Sequence, residues 1–99
     1  MIIYGIKNCD KVKAALKQAE FKGMGAQLHD FRVDGIDEAL VCAMLVDIEM
    51  SNLVNKRSTT WKQLSDEQKA SVSAETLIEH PTLIKRPVIF DQGHYRIGL

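Results

Sequence analysis

The 99-residue chain has only two cysteines, two prolines and one tryptophan, and its formal net charge is zero. Two cysteines cannot form the disulfide framework of a small secreted protein, so we expect both thiols to be reduced. The 13 basic and 13 acidic residues balance, which removes the electrostatic reason to expect nucleic acid or an anionic membrane as a partner.

The chain also has no long apolar run. Its most apolar stretch, residues 39–46, is far too short to cross a bilayer, and the N-terminus has none of the regions of a secretion signal. Length and composition therefore predict one cytoplasmic domain over residues 1–99, with no membrane partner.

Hydrophobic patterning predicts the element order β-α-β, then several helices, then a β-hairpin. The predicted segments are a strand at 2–6, a helix from Asp10, a strand at 27–33, a helix at 36–48, an irregular stretch at 51–60, short helices from 65 and 74, a strand at 87–90, a turn at 91–93 and a strand at 94–97. Two parallel strands followed by a hairpin indicate an α/β, thioredoxin-like fold. It has a four-stranded mixed sheet and a helical insertion at about 36–80.

Cys9 is the main candidate for a reactive group, because it lies where the first strand turns into the first helix. A cysteine there faces unpaired backbone N–H groups and the positive end of the helix dipole, which stabilise a thiolate. Lys7 and Lys11 flank Cys9 and favour ionisation, whereas Asp10 opposes them. The helix terminus should have the larger effect on ionisation of the thiol, because salt screens the exposed charges. The alternative interpretation is that the two lysines belong to an ordinary solvated face.

Residue spacing excludes two mechanisms for Cys9. A C-x-x-C oxidoreductase needs a second cysteine at position 12, which is Val12, and a C-x5-R anion loop needs an arginine at position 15, which is Ala15. The remaining hypothesis is a one-cysteine mechanism, in which the thiolate attacks a disulfide or an oxyanion and an outside thiol such as glutathione resolves the product. It needs an outside thiol as co-substrate and no bound cofactor, and no histidine has metal-ligand spacing to a cysteine.

Two arginines could contribute to an anion site. The fold type places a cis-proline at the start of the third strand, which falls on Pro87, although proline is also tolerated there for structural reasons. Arg86 would then point at the same site and bind a carboxylate or an oxyanion. Arg57 lies in a polar loop that forms either an anion pocket or an ordinary surface loop.

Cys42, inside an apolar helix, is predicted to be an inert core residue.

Residues 3–10, 53–61 and 83–88 together resemble the ArsC/Spx family, and most closely its YffB branch. The resemblance covers nearly the whole chain in order. It implies a thioredoxin-like fold with a catalytic Cys9, and with Asn8 and the cis Pro87 as structural residues of the site.

In glutaredoxin-dependent arsenate reductases of this family, three arginines surround the thiol. Arg86 matches the arginine before the cis-proline, and Arg57 is the nearest match in the insertion loop. The third position falls on Gly98, and Arg96 lies two residues earlier. Family members usually continue into a closing helix, whereas this sequence ends at Leu99; either one sheet face is uncovered or the chain is truncated.

The resemblance favours a glutathione-dependent thiol reductase that works through a mixed disulfide at Cys9. Arg57, Arg86, Lys11 and Arg96 are then the candidate anion-binding residues. An alternative is an arsenate reductase that uses glutaredoxin as a partner, although an arsenate site missing one arginine should bind its oxyanion less well. Two further alternatives are an Spx-like regulator that binds RNA polymerase and a member of the fold without activity.

Overall fold

The structure is a computed structural model that describes residues 1–98. The chain divides into two compact units. One contains residues 1–35 and those from 86 onward, and the other contains residues 36–85. The expectation that all residues form a single domain stays a prediction.

The first unit is a four-stranded sheet with one helix. Its elements are β1 (Ile2–Gly5), α1 (Asp10–Phe21), β2 (Gln27–Asp30), β3 (Val88–Asp91) and β4 (His94–Ile97). The strand order is β2-β1-β3-β4; β1 is parallel to β2, whereas β1–β3 and β3–β4 are antiparallel. The predicted α/β fold with a mixed four-stranded sheet is confirmed.

The second strand is shorter than predicted. The alternating side-chain pattern that predicted the strand continues through residue 33, but β2 ends at Asp30, because the chain turns there. The N–H groups of Val33 and Asp34 both donate to the Asp30 carbonyl, at 3.1 and 2.7 Å. Local hydrogen bonding of this kind ends a strand that side-chain alternation alone would extend.

Helix α1 packs on one face of the sheet through small side chains. Ile3 and Ile89 from the sheet form a buried cluster with Val12, Ala15 and Ala19 from the helix. The spacing of the three helical residues matches the apolar face predicted from the sequence. This cluster fixes where α1 begins relative to the end of β1.

Gly5 allows the helix to approach the sheet this closely. A Cβ atom added at Gly5 would lie 2.5 Å from Cγ2 of Val12, and Val12 is fully buried. We therefore expect Gly5→Ala to lower the free energy of unfolding by about 1–3 kcal/mol through overpacking. Urea denaturation measures this loss. The same change made in a Val12→Ala background should cost clearly less, and an equal cost in both backgrounds would contradict the proposed clash.

The opposite face of the sheet carries a group of aromatic rings. The Tyr4 ring centroid lies 4.8 Å from that of His29 and 5.9 Å from that of Tyr95, and Phe90 lies 4.7 Å from Tyr95. Burial, followed by the hydrogen bond and charge interaction with Tyr95, raises the pKa of Tyr4 to about 12. The folded state therefore favours the neutral phenol of Tyr4.

The raised pKa of Tyr4 predicts a specific loss of stability in alkali. Its contribution is fully present below the ordinary tyrosine pKa of 10.0 and is lost as the pH rises towards about 12. Because the phenol is only partly withdrawn from solvent, this shift corresponds to at most about 2 kcal/mol. Denaturation of the wild type and of Tyr4→Phe across this window should show a steeper decline for the wild type; parallel curves would disprove the assignment.

The second unit consists of short helices. They are α2 (Glu38–Asp47), α3 (Met50–Leu53), α4 (Thr59–Gln63), α5 (Asp66–Ala70) and α6 (Ala74–Glu79), followed by a 3-10 turn at Pro81–Leu83. Ser65 and Gln68 form a capping box at the start of α5, where the sequence predicted a short helix to begin. The stretch predicted to be irregular contains α3 and the start of α4, because the Ser58 hydroxyl accepts the Trp61 N–H and caps a helix there.

Helix α2 is less buried than its composition suggested. Only Val41 and Met44 are buried, whereas the side chain of Val46 is 83% exposed. Cys42 is exposed as well, so the prediction that it is a core residue is wrong. The helix buries one face only, and an unbroken run of apolar residues does not indicate which positions face solvent.

Among residues 1–98, no helix combines the length and hydrophobicity needed to span a membrane.

Candidate active site

The candidate site lies at one edge of the sheet, where β1 ends and β3 begins. Tyr4 pairs with Val88 across these antiparallel strands, so the loop that follows β1 and the segment that precedes β3 lie at the same edge. The N–H of Gly98 donates to the Pro87 carbonyl at 2.9 Å, which places the end of β4 there too. We call this region the site edge; it comprises residues 6–9, 86–87 and 98.

Cys9 is the residue immediately before α1 and adopts an extended backbone conformation. Its carbonyl accepts the N–H of Lys13 at 3.0 Å, and its own N–H donates to the Ile6 carbonyl at 3.2 Å. The 12-residue helix therefore starts at Asp10, as the sequence predicted, and Cys9 lies at its N-terminal end, where the first N–H groups of a helix have no partner within the helix.

The environment of the Cys9 side chain is mixed. It is partly buried and packs against the cluster beneath α1. Within the described residues it accepts no capping hydrogen bond from the first helical turn. The apolar contacts fix the direction of the side chain without closing it off from solvent.

Asp30 is a buried carboxylate that anchors the loop before Cys9. Its side chain accepts the N–H of Lys7 at 3.1 Å and the N–H of Arg32 at 2.8 Å, and the residue is only 7% exposed. The Phe31 N–H also donates to the Gly5 carbonyl at 2.8 Å. The sequence patterns did not predict this role, because Asp30 lies in the middle of the strand predicted at 27–33 and nothing there indicated that its side chain accepts backbone N–H groups.

We expect Asp30→Ala to loosen the loop that carries Cys9. Removing the carboxylate leaves two backbone N–H groups without acceptors, which should lower the free energy of unfolding by about 1–3 kcal/mol and speed hydrogen exchange at the Lys7 amide. Asp30→Asn keeps an acceptor oxygen and should have a smaller effect. Unchanged exchange at Lys7 in the alanine variant would show that the carboxylate does not hold the loop.

The segment before β3 has the predicted cis peptide bond between Arg86 and Pro87. Pro87 is buried and Arg86 is half-buried. The Nη1 atom of Arg86 is buried and has no hydrogen-bond partner among residues 1–98. An unpaired buried guanidinium nitrogen is costly in free energy, and a carboxylate or oxyanion would satisfy it with a strong hydrogen bond.

The other candidates from the first unit are less closely associated with the site edge. Asn8 is exposed in the loop, and Lys11 is exposed on the first turn of α1. Arg96 lies on β4 opposite Ile89, and its Nη1 donates to Oδ2 of Asp91 at 3.3 Å. This ion pair directs the Arg96 guanidinium towards the hairpin, away from the site edge.

Arg57 belongs to the second unit, where it is exposed in the turn before α4. Its N–H donates to the Asn55 side-chain oxygen at 3.1 Å, and the Ser58 hydroxyl donates to the Asn55 carbonyl at 2.7 Å. These bonds order the polar loop, and anion binding by Arg57 stays a prediction.

Within residues 1–98, no group of three or more His, Cys, Asp or Glu side chains is arranged to hold a metal ion.

Comparison with known proteins identifies the family. The family model of the ArsC family matches residues 4–99. An uncharacterized protein from Haemophilus influenzae is 46% identical over 100 residues, which cover 97% of this chain and 88% of that protein.

Two solved structures share the fold over 99% of this chain. The YFFB (PA3664) protein is 28% identical with a TM-score of 0.90, and 90% of its own chain is covered. An arsenate reductase (ArsC) related protein from Brucella melitensis is 30% identical with a TM-score of 0.82 and 85% coverage. The chain therefore belongs to the ArsC family, as the three sequence segments predicted.

Proposed function

We propose that this protein is a cytoplasmic thiol reductase that uses glutathione and has Cys9 as its nucleophile. The observation that supports this most directly is the arrangement of the site edge. Cys9 at the start of α1 shares that edge with the cis Arg86–Pro87 segment, whose guanidinium has a buried, unpaired nitrogen. Membership of the ArsC family supports the broader class, a thiol or arsenate reductase-like protein.

The proposed reaction has two thiol–disulfide exchanges. The Cys9 thiolate attacks the glutathione sulfur of a mixed disulfide between glutathione and a substrate thiol. A Cys9–glutathione disulfide forms, and the substrate leaves as a thiolate that takes a proton from solvent. A glutathione thiolate then attacks this disulfide, forms oxidised glutathione and releases the Cys9 thiolate. The net reaction reduces one substrate disulfide and oxidises glutathione.

Arg86 is proposed to hold a carboxylate of glutathione during both steps. Its fork of N–H donors matches a carboxylate in geometry, and this contact would satisfy Nη1. Pro87 would form part of the wall against which the bound sulfur lies. Lys11 is a candidate for a weaker contribution because it is exposed, and solvent screens its charge.

Arsenate reduction with glutaredoxin is the second candidate. The description of the Brucella melitensis relative favours it. Two features of this chain oppose it. The position predicted for the third arginine is Gly98, and the neighbouring Arg96 is paired with Asp91. A multiply charged oxyanion needs more cationic donors than a single guanidinium provides.

An assay with two arms separates these candidates. In one arm, glutathione and a small mixed disulfide are supplied, and oxidised glutathione is followed through glutathione reductase. In the other arm, arsenate, glutathione and glutaredoxin are supplied, and arsenite is measured. We expect turnover in the first arm to exceed that in the second by at least about tenfold, because an arsenate bound here would lack a charged hydrogen bond from the third arginine. Turnover confined to the arsenate arm, or turnover in neither arm, would overturn the proposal.

A further inference from the structure

The second unit contains a pocket that is separate in sequence from every residue of the site edge. It has a volume of about 220 Å³ and is lined by residues from α3, α4, α5 and the segments beside them. Trp61 forms one wall, and Met50, Val54 and Val72 add apolar surface. The space corresponds to roughly seven water molecules, so it could take a small organic molecule or one end of a larger one.

Two lysines give this pocket its charge. Nζ of Lys56 lies 5.8 Å from the centroid of the Trp61 ring, and Nζ of Lys69 lies 5.7 Å from the same centroid. Neither ammonium group has an ion pair or a hydrogen bond with the described residues. Both lysines line the pocket, and no carboxylate is among its lining residues.

These features favour an anionic ligand with a flat apolar part. Both ammonium groups lie near the Trp61 ring and no carboxylate lines the pocket, so a bound anion would gain favourable charge interactions with them. A planar group would bury apolar area against Trp61, which is only half-buried. A core tryptophan with a purely structural role would account for neither the open wall nor two pocket lysines without a carboxylate among the lining residues.

We propose that this pocket binds a small aromatic anion. Its carboxylate or phosphate lies between Lys56 and Lys69, and its ring lies along Trp61. Ser51 also lines the pocket and offers a hydroxyl donor to the same anionic group. None of the residues that line the pocket belongs to the site edge.

Trp61 is the only tryptophan in the chain, so its fluorescence reports on the pocket directly. The probes are phenylacetate, phenyl phosphate and the neutral phenylacetamide. We expect a saturable change with at least one anion, with a Kd on the order of 1 mM, and at least about tenfold weaker binding of the amide. Whichever anion binds more tightly identifies the preferred anionic group. No response to either anion, or equal binding of the amide, would overturn the proposal.

Matched lysine variants test the two cations. Lys56→Met and Lys69→Met should each weaken binding of the preferred anion several-fold, and the double variant by at least about tenfold. Lys62→Met is the control, because Lys62 lies on α4 and does not line the pocket. An equal loss in the control would overturn the assignment. Binding should be unchanged in Cys9→Ser, so the outcome is separable from that of the proposed reductase activity.

Discussion

Replacing Cys9 by serine is expected to abolish glutathione-dependent turnover, with a loss on the order of 10³-fold or more. A serine hydroxyl stays protonated at neutral pH and cannot form the mixed disulfide. The fold should be retained, because the partly buried side chain loses little apolar area in this change. Steady-state kinetics with the small mixed disulfide measures the loss.

Cys42→Ser is the matched control for this experiment. Cys42 is exposed on α2 and lies outside the site edge, so its removal should leave kcat and KM within about twofold of the wild type. The pair of variants distinguishes a nucleophile held at a helix terminus from a thiol that reacts only because it is accessible. Activity that survives in Cys9→Ser and disappears in Cys42→Ser would move the site to α2.

The second large effect is expected at Arg86. Arg86→Met removes the donors proposed to hold the glutathione carboxylate, so kcat/KM should fall by about 10–100-fold, the equivalent of a lost charged hydrogen bond. The same change removes a buried nitrogen that has no partner among residues 1–98. Stability should therefore stay at the wild-type value or rise by about 1 kcal/mol. Kinetics and urea denaturation of the same preparation test both expectations.

The opposite directions of these two effects separate a binding role from a structural one. If stability and activity both fell in Arg86→Met, the role of Arg86 would be structural. Arg96→Met provides a comparison, because that guanidinium is already paired with Asp91 and is about half exposed. We expect Arg96→Met to change kcat/KM by less than about threefold and stability by less than about 1 kcal/mol. A loss as large as that of Arg86→Met would show that Arg96 reaches the substrate.

Local patterns in the sequence were sufficient to predict most of the fold. The helix start at Asp10, the start of the short helix at residue 65 and the turn between β3 and β4 each depend on a few neighbouring residues. In that turn Gln92 and Gly93 both have positive φ angles, of 54° and 82°, which is the conformation of a two-residue hairpin turn. Such features are encoded within one short segment, so they can be predicted without knowledge of the partners.

The features that were missed depend on contacts between segments distant in sequence. Asp30 acts on the loop before Cys9 from a neighbouring strand, 23 residues away from Lys7. The exposure of Cys42 depends on which face of α2 is covered, and the composition of that helix does not indicate the face. The direction of Arg96 follows from its pairing with Asp91 across the hairpin. Strand register and packing determine the role of Asp30, the exposure of Cys42 and the direction of Arg96, and composition does not.

The mass of the protein after incubation with oxidised glutathione tests the central claim most directly. If the start of α1 activates its thiol, one glutathione should add, and peptide mapping should place it on Cys9 although Cys42 is the more exposed of the two cysteines. Modification of Cys42 alone, or of neither residue, would contradict the assignment of Cys9 as the nucleophile.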